Sequence, residues 1–283
     1  MTIDFKWESI LRFRYLEIML LWEGKLTTNH LQATFGIKRA QSSRDIKAYK
    51  QVAPGNIVYD PAIKGYRLSG QFCPQFSKGT IDEYLNLIDS NSFFESVDKT
   101  VEAPATHTYV LKAPVRMVKP EIVRQVVDAC RRKRRIEVNY GSMRCPQGED
   151  RIIAPHSIVS SGYRWHVRAY CEKNRDYRDF SLGRILDVVD DLGPALNEDE
   201  TDRNWHTEIT LELIAHPNLT SEQQQLVRFE RGFEGLSLSI TTRRATAIYM
   251  LHYLQVPVSI SSYTAVNPVV LKDLSIIEGL RFG

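Results

Sequence analysis

Residues 163–170 read YRWHVRAY and residues 178–185 read RDFSLGRI, and these two runs decide the middle of the fold. In the first run apolar and polar side chains alternate, and successive side chains of a strand point to opposite faces. We therefore expect Trp165, Val167 and Ala169 to lie in the core of a small β-domain. The opposite face would carry cations and hydrogen-bond donors, which suit an anionic ligand: Arg164, His166, Arg168 and Tyr170.

The length and composition describe an ordinary globular protein of several domains. The chain has 283 residues, of which 43% are hydrophobic and 25% are charged, and this length suits two or three domains. Neither a secretory leader nor a membrane-spanning apolar run is visible, so we expect a cytoplasmic protein. The cysteines are scattered without a C-x-x-C pair, which predicts free thiols and no structural zinc: Cys73, Cys130, Cys145 and Cys171.

Positive charge is concentrated at one end of the chain. Residues 1–70 hold eleven Lys and Arg against six Asp and Glu, a net charge of +5, although the whole chain carries only +3. A basic segment within an otherwise slightly acidic chain indicates a polyanionic partner for that segment.

The first 70 residues carry the pattern of a winged helix-turn-helix. Trp7, Leu11, Tyr15, Ile18 and Trp22 form a helical stripe over residues 7–23. A short helix follows, a glycine turn leads into a third helix over residues 38–51, and two short strands at 56–60 and 64–68 form a hairpin. Three helices with a tight turn before the third, followed by a hairpin, are typical of this DNA-binding motif.

The rest of the chain divides by composition. Helical patterns occur at residues 81–90 and 119–134, short β-like segments run from residue 136 to 189, and an acidic connector leads to an α+β end. The predicted division is a DNA-binding domain, a linker with helices, an effector-binding domain and a C-terminal extension: residues 1–70, 71–134, 135–190 and 201–283.

Two motifs carry a resemblance to known families. The run RDIKAY at residues 44–49, followed by KGYRL at 64–68, resembles the DeoR-like winged helix of bacterial regulators, with Lys38 where the family often has a Ser or Thr helix cap. The second resemblance is to the WYL domain of bacterial regulators. The chain resembles it in the run of residues 151–158, in the pattern of Gly162, Trp165 and Tyr170, and in the run of residues 178–185. His166 stands where that family has tyrosine, and it can donate a hydrogen bond and titrate near neutral pH.

The order of these parts resembles full-length WYL transcriptional regulators, and most closely the repressors beside phage-defence genes of the BREX and CBASS types. The resemblance implies an α+β multidomain protein with a winged helix-turn-helix, a central Sm/SH3-like β-barrel and a C-terminal α+β extension. It also implies a bacterial homodimer that binds a double-stranded operator with an inverted repeat and is controlled by an anionic effector, a nucleotide or a nucleic acid fragment. The C-terminal extension would then serve dimerisation or gating.

The third helix and the hairpin supply the candidate DNA contacts. Between residues 38 and 50 five cations face a single acid, Asp45. Arginine pairs well with guanine and glutamine with adenine, while lysines of a wing contact phosphate. The alternative is an ordinary solvated helix face. The predicted DNA-binding residues are Lys38, Arg39, Gln41, Ser42, Arg44, Lys47, Lys64 and Arg67.

The β-domain supplies the candidate effector contacts. Arginine forks bind phosphate through two hydrogen bonds, and an imidazole adds another donor. The alternative is a set of surface ion pairs with neighbouring acids. The predicted effector-binding residues are His156, His166, Arg168, Arg178 and Arg184. The basic run at residues 131–135 is either a solvated helix end or a nucleic-acid contact.

The sequence argues against an enzyme. It contains no phosphate-binding glycine loop, no HExxH and no nucleophile elbow, so we expect no catalytic residue, metal or cofactor. Two regulatory alternatives remain beside the repressor. One is a nucleic-acid-sensing activator that contacts RNA polymerase. The other is a module whose winged helix binds only protein, but the positive charge of residues 1–70 counts against this second alternative.

Overall fold

The computed structural model describes residues 5–95, 111, 118–162, 164–196, 201–259 and 267–280, and of residues 90–95 only the helical backbone. The chain separates into two compact units, Met1–Lys112 and Ala113–Gly283. Among the described residues, no helix is long and apolar enough to cross a membrane. Tyr163 and most of the predicted linker between residues 96 and 117 lie outside the described residues.

The first unit contains the three predicted helices and the predicted hairpin. Gly24 and Gly36 adopt left-handed backbone conformations, with φ of 70° and 61°, and end the first two helices. A left-handed residue at this position suits glycine because it has no Cβ. The elements are α1 (Trp7–Glu23), α2 (Thr28–Phe35), α3 (Arg39–Val52), β1 (Ile57–Asp60), β2 (Gly65–Leu68) and α4 (Ile81–Glu95).

A buried carboxylate organises the core of this unit. Glu17 on α1 is fully buried and accepts a hydrogen bond of 2.9 Å from the hydroxyl of Tyr49 on α3. It also accepts three backbone N–H groups from residues 75–77 at 2.7–2.8 Å. These bonds satisfy the buried charge. As a result α1, α3 and the segment that leads to α4 are fixed against one another.

The second unit begins with a helix and a five-stranded antiparallel sheet. The elements are α5 (Pro120–Arg132), β3 (Arg134–Tyr140), β4 (Glu149–Ser160), β5 (Trp165–Cys171), β6 (Asp176–Ser181) and β7 (Ile185–Pro194). The strand order is β6-β5-β4-β3-β7, so β6 and β7 are its edges. The predicted Sm/SH3-like barrel is therefore wrong, because the sheet is open. The apolar face of this sheet is covered by α5, through Ile122, Val126 and Ala129. The helix thus buries apolar side chains that the closure of a barrel would otherwise bury.

The chain ends in a smaller α+β domain within the same unit. Its elements are α6 (Arg203–His206), β8 (Glu208–Ala215), α7 (Ser221–Glu230), β9 (Ser237–Arg243), α8 (Ala247–Tyr253) and β10 (Val269–Leu271). The strands form an antiparallel sheet of order β10-β8-β9. Leu211, Leu213, Ala247 and Leu251 lie at the centre of its core.

The alternation expected along β5 is only half right. Val167 and Ala169 are fully buried, as predicted, but Trp165 is 55% exposed. His166 and Arg168, which were expected on an open face, are 2% and 6% exposed. The strand lies inside the sheet, and its polar face is covered by α8 and by the residues before α6. Alternation identifies two faces, but it does not say whether a second domain covers one of them.

Candidate functional site

The solvent side of α3 is strongly basic because its one acid is turned inward. Asp45 is 4% exposed, whereas five cations of residues 38–50 are exposed: Lys38, Arg39, Arg44, Lys47 and Lys50. No side chain caps the first turn of α3 at Lys38, although the N–H of Gln41 donates to the Lys38 carbonyl at 2.8 Å. This face therefore combines fixed cations with a helix N-terminus, which is the chemistry that binds phosphate.

Two of the predicted base-reading residues are tied to the buried acid. Arg12 of α1 donates from Nε to Oδ2 of Asp45 at 2.7 Å. The amide Nε2 of Gln41 donates to Oδ1 of the same carboxylate at 2.9 Å, and Nη2 of Arg44 donates to Oε1 of Gln41 at 2.6 Å. Gln41 and Arg44 thus belong to a continuous hydrogen-bonded chain that starts in the core.

Ser42 is not on this surface. It is fully buried, and its hydroxyl has no hydrogen-bond partner among the described residues. Ser42 precedes Ile46 and Tyr49 by four and seven residues, so the three lie on the same inward stripe of the helix. The helical phase of Ile46 and Tyr49 could have shown this from the sequence.

The hairpin forms an exposed wing. Lys64 ends the turn between β1 and β2 with a left-handed φ of 49°, and its side chain is exposed. Arg67 of β2 is also exposed, and it donates from Nε to Oδ2 of Asp60 at 2.6 Å. This bond, together with the backbone N–H of Ala62, lowers the pKa of Asp60. Lys64 forms no ion pair within the described part of the chain, while the charge of Arg67 is shared with Asp60.

Arg168, one of the effector candidates, is occupied by two buried acids. It donates from Nε and Nη2 to Asp202 at 2.7 Å and 3.1 Å, and from Nη1 to Asp179 at 3.3 Å. Burial alone would raise the pKa of Asp202, but the hydrogen bonds from His156 and Arg168 lower it to about 2. Arg168 therefore joins the sheet to the start of the C-terminal domain.

The two candidate histidines also take part in this junction. His156 lies 3.3 Å from Asp202 through Nε2 and packs edge-on against Trp205. His166 stacks on the ring of Tyr249 in α8, with centroids 4.3 Å apart, and neither ring nitrogen has a hydrogen-bond partner among the described residues. Burial lowers the pKa of His166, so its ring is neutral at neutral pH. Both side chains hold the sheet to the C-terminal domain.

A cavity of about 410 Å³ opens beside this junction. Arg178 and Arg184 line it, as does Arg168, whereas His156 and His166 do not. The C-terminal domain contributes Asn204, Ala245, Ile248 and Leu280 to its wall. The structure thus brings three of the five effector candidates together in a cavity that belongs to two domains.

Arg151 is a cavity residue that the sequence reasoning did not select. It lines the cavity, donates from Nη1 to Asn174 at 3.0 Å, and pairs with Glu149 through Nη2. Its Nε is buried without a hydrogen-bond partner among the described residues. A signal was present, because Arg151 opens the first run that resembles the WYL domain.

The basic run at residues 131–135 is largely neutralised within its own domain. Arg132 pairs with Asp128, Arg134 with Asp191 and Arg135 with Glu172, with N···O distances of 3.1, 2.8 and 2.9 Å. These contacts favour a local structural role over a nucleic-acid contact. In the part of the chain that the structure describes, no cluster of His, Cys, Asp or Glu could hold a metal ion.

Three family models match the chain. They are the BrxR transcriptional regulator winged helix-turn-helix domain over residues 8–90, the WYL domain over 121–189, and the BrxR transcriptional regulator C-terminal dimerization domain over 208–277. The solved structure of the proteasome accessory factor B/C of Arthrobacter aurescens aligns with 96% of this chain and with 47% of its own chain, at 15% sequence identity. The TM-score of 0.28 is too low to support an argument.

Curated relatives are similar over most of their length. The DNA-binding transcriptional repressor CapW of Escherichia coli strain KTE188 is 32% identical over 258 residues, 88% of this chain and 82% of that protein. The repressors of the same name from Pseudomonas aeruginosa and Stenotrophomonas maltophilia are 32% and 29% identical, over 88% and 95% of this chain and 83% and 90% of their own.

These matches confirm the predicted WYL regulator and favour a repressor over an enzyme or an activator. The winged helix and the dimerization domain together make it a dimeric DNA-binding protein. The chain therefore belongs to the CapW family of DNA-binding transcriptional repressors, with a winged helix and a C-terminal dimerization domain of the BrxR type.

Proposed function

We propose that this repressor binds an inverted repeat upstream of a bacterial phage-defence operon and releases it when an anionic effector enters the WYL cavity. The observation that carries the DNA part is the exposed basic face of α3, whose single acid is buried. Two copies related by a two-fold axis would place two such helices in successive major grooves, about 34 Å apart or a multiple of it.

The proposed DNA contacts divide into two kinds. Gln41 and Arg44 read base edges, while Lys38, Arg39 and Lys47 join the wing residues Lys64 and Arg67 at phosphates. Ser42 is left out because it is buried. We further propose that residues 1–70 bind DNA, 71–134 connect, 135–190 bind the effector, and 201–283 dimerise the protein or gate the cavity.

The proposed effector is an anion, a nucleotide or a nucleic acid fragment. Arg151, Arg178 and Arg184 supply guanidinium groups to the cavity, and Tyr177 supplies a ring against which a base can pack. Because the cavity wall belongs to both the WYL and the C-terminal domain, a bound effector can favour one arrangement of the two. Only such a difference in affinity between two states shifts the equilibrium.

We propose that the second copy packs on α7. Leu226 and Phe229 are 65% and 86% exposed, and three residues apart they share one face of the helix. Leu236, 77% exposed, follows shortly before β9. The patch is surrounded by charges of both signs: Glu222, Arg228, Glu230 and Arg231. Such a patch can complement itself across a two-fold axis.

The dimer surface is tested by Leu226→Ser combined with Phe229→Ser. Sedimentation should show the wild type at about twice the chain mass of 32.6 kDa and the variant as a monomer. Met143→Ser, at a methionine that is 85% exposed outside this domain, is the control and should remain dimeric. A variant that stays dimeric would place the interface elsewhere.

The function itself is tested by fluorescence anisotropy on DNA from upstream of the protein's own gene, at physiological salt, against a scrambled duplex. A specific repressor should bind its site at least about a thousandfold tighter than the scrambled duplex. Equal and salt-sensitive binding to both would exclude this DNA as the operator. Release of the bound DNA by mononucleotides, dinucleotides or short single strands then identifies the effector class.

A further inference from the structure

A buried ion pair supports the side of α3 that carries Gln41 and Arg44. The side chains of Arg12 and Asp45 are only 11% and 6% exposed. Arg12 spans the carboxylate, with Nε at 2.7 Å from Oδ2 and Nη2 at 3.4 Å from Oδ1, and Nη2 also lies 3.3 Å from the hydroxyl of Ser9. The pair is therefore fixed to α1 and cannot rotate freely.

We propose that Arg12 and Asp45 are positioning residues for DNA sequence recognition, which act by fixing the orientation of the Gln41 amide and, through it, of Arg44. This inference rests on the proposed base contacts of Gln41 and Arg44. Neither Arg12 nor Asp45 contacts DNA in this arrangement, because Asp45 is buried and the Arg12 side chain, only 11% exposed, is turned towards it.

The chemistry of Asp45 leaves the Gln41 amide one orientation. A carboxylate only accepts hydrogen bonds, so the end of the amide that faces it at 2.9 Å must be the NH₂ group. The amide oxygen then faces Arg44, which donates to it at 2.6 Å. If Asp45 were absent, the amide could turn over, and its NH₂ group, which cannot accept a hydrogen bond, would then face Arg44.

This arrangement matters for discrimination between bases. Gln41 keeps one amide hydrogen and Arg44 keeps its Nε and Nη1 donors for base edges. Because the side chains are held before DNA arrives, their rotamer freedom is lost on folding rather than on binding. A glutamine and an arginine that were free to rearrange would accept wrong base pairs more readily.

The ion pair is neutral as a whole, and this separates its effect from electrostatic attraction. Replacing both residues removes one positive and one negative charge, so the net charge of +3 does not change. Non-specific binding to DNA depends on phosphate neutralisation and on salt. It should therefore be unaffected, while the preference for the correct base pairs falls.

The test compares wild type with Arg12→Ala combined with Asp45→Ala. Affinities are measured by anisotropy for the operator, for operators with single base-pair substitutions, and for a scrambled duplex at several salt concentrations. A base pair that is read directly discriminates about 5- to 150-fold. We expect this discrimination to fall at least about fivefold at the base pairs read by Gln41 and Arg44, with unchanged affinity and salt slope on scrambled DNA.

Two further variants keep the test decisive. Arg12→Leu with Asp45→Leu fills the same space with apolar side chains, which usually preserves stability, and serves if the alanine pair melts early by circular dichroism. Arg14→Ala is the matched control. It removes another α1 arginine whose partner, Glu83 at 2.5 Å, lies outside α3, so base discrimination should not change.

Each outcome has a separate meaning. Unchanged discrimination in a folded double variant, while Arg44→Ala lowers operator affinity, overturns the positioning role and leaves the proposed function intact. Loss of both specific and non-specific binding in a folded variant also overturns it, because the pair would then be needed for binding in general. If Arg44→Ala itself has no effect on the operator, the proposed base contacts of α3 are wrong.

Discussion

Arg168 on β5 binds Asp202 through two parallel hydrogen bonds of 2.7 Å and 3.1 Å, although 34 residues separate them along the chain. Asp202 caps the N-terminus of α6 and accepts the backbone N–H of Trp205 as well. The same guanidinium reaches Asp179, which in turn accepts the hydroxyl of Tyr249 at 3.0 Å. This buried arginine thus links the WYL sheet directly to the residue before α6, and through Asp179 to α8 of the C-terminal domain.

Removal of one partner of this pair should destabilise the second unit. Asp202→Ala leaves the buried guanidinium of Arg168 without its principal acceptor, and breaking a buried ion pair typically costs about 3–5 kcal/mol. The free energy of unfolding, from urea denaturation followed by circular dichroism, measures the effect. Asp191→Ala breaks the more exposed pair with Arg134 and should cost about 0–1 kcal/mol. Equal losses in the two variants would contradict a special role of Arg168.

The same pair predicts a loss of stability in acid. The pKa of Asp202 is lowered to about 2, below the value of about 3.9 in an unfolded chain. The ionised Asp202 carboxylate therefore adds about 2–3 kcal/mol to the free energy of unfolding. This stabilisation is complete above about pH 4 and disappears as the pH falls towards 2. Because other carboxylates titrate in this range, the measurement is the difference in unfolding free energy between wild type and Asp202→Asn. That difference should shrink between about pH 5 and 3, and a constant difference would show that Asp202 does not titrate in this way.

The wing should contribute charge but no sequence preference. Lys64→Ala should reduce the slope of log affinity against log salt by about one unit, because one phosphate contact is lost. Arg67→Ala should change the slope less, since Asp60 already neutralises that guanidinium. Both slopes come from operator titrations at four or five salt concentrations. A wild-type slope in the Lys64 variant would place the wing away from the phosphates.

The cavity arginines should be needed for release of DNA and not for its binding. Arg178→Ala with Arg184→Ala should bind the operator as the wild type does, because neither residue lies in the DNA-binding unit. The nucleotide or oligonucleotide that lowers operator affinity in the wild type should lower it about 5- to 150-fold less in this variant. That factor is the usual range of coupling between two sites. Arg124→Ala, an exposed arginine of α5 that does not line the cavity, is the control. Normal release from the double variant would remove the cavity from the mechanism.

Local patterns predicted much of the chain and missed some of its faces. The first helix was predicted over residues 7–23 and is found at Trp7–Glu23. Its predicted apolar stripe holds at Tyr15 and Ile18, yet Trp7 and Trp22 are 69% and 39% exposed. Helix α8 begins only at Ala247, because β9 continues through Arg243 in its pairing with β8.

The sequence by itself determined the elements, their order and the family, because helix periodicity, glycine ends, turn chemistry and short motifs act over a few residues. Such local signals are the helix-ending Gly24 and Gly36 and the hairpin turn that leads into Gly65. Tertiary structure alone decided what covers each face. It buried His166 and Arg168, exposed Trp165, left the sheet open and brought Arg12 to Asp45. Contacts between residues 33 or 34 positions apart depend on how whole elements pack, and no short window of sequence contains both partners.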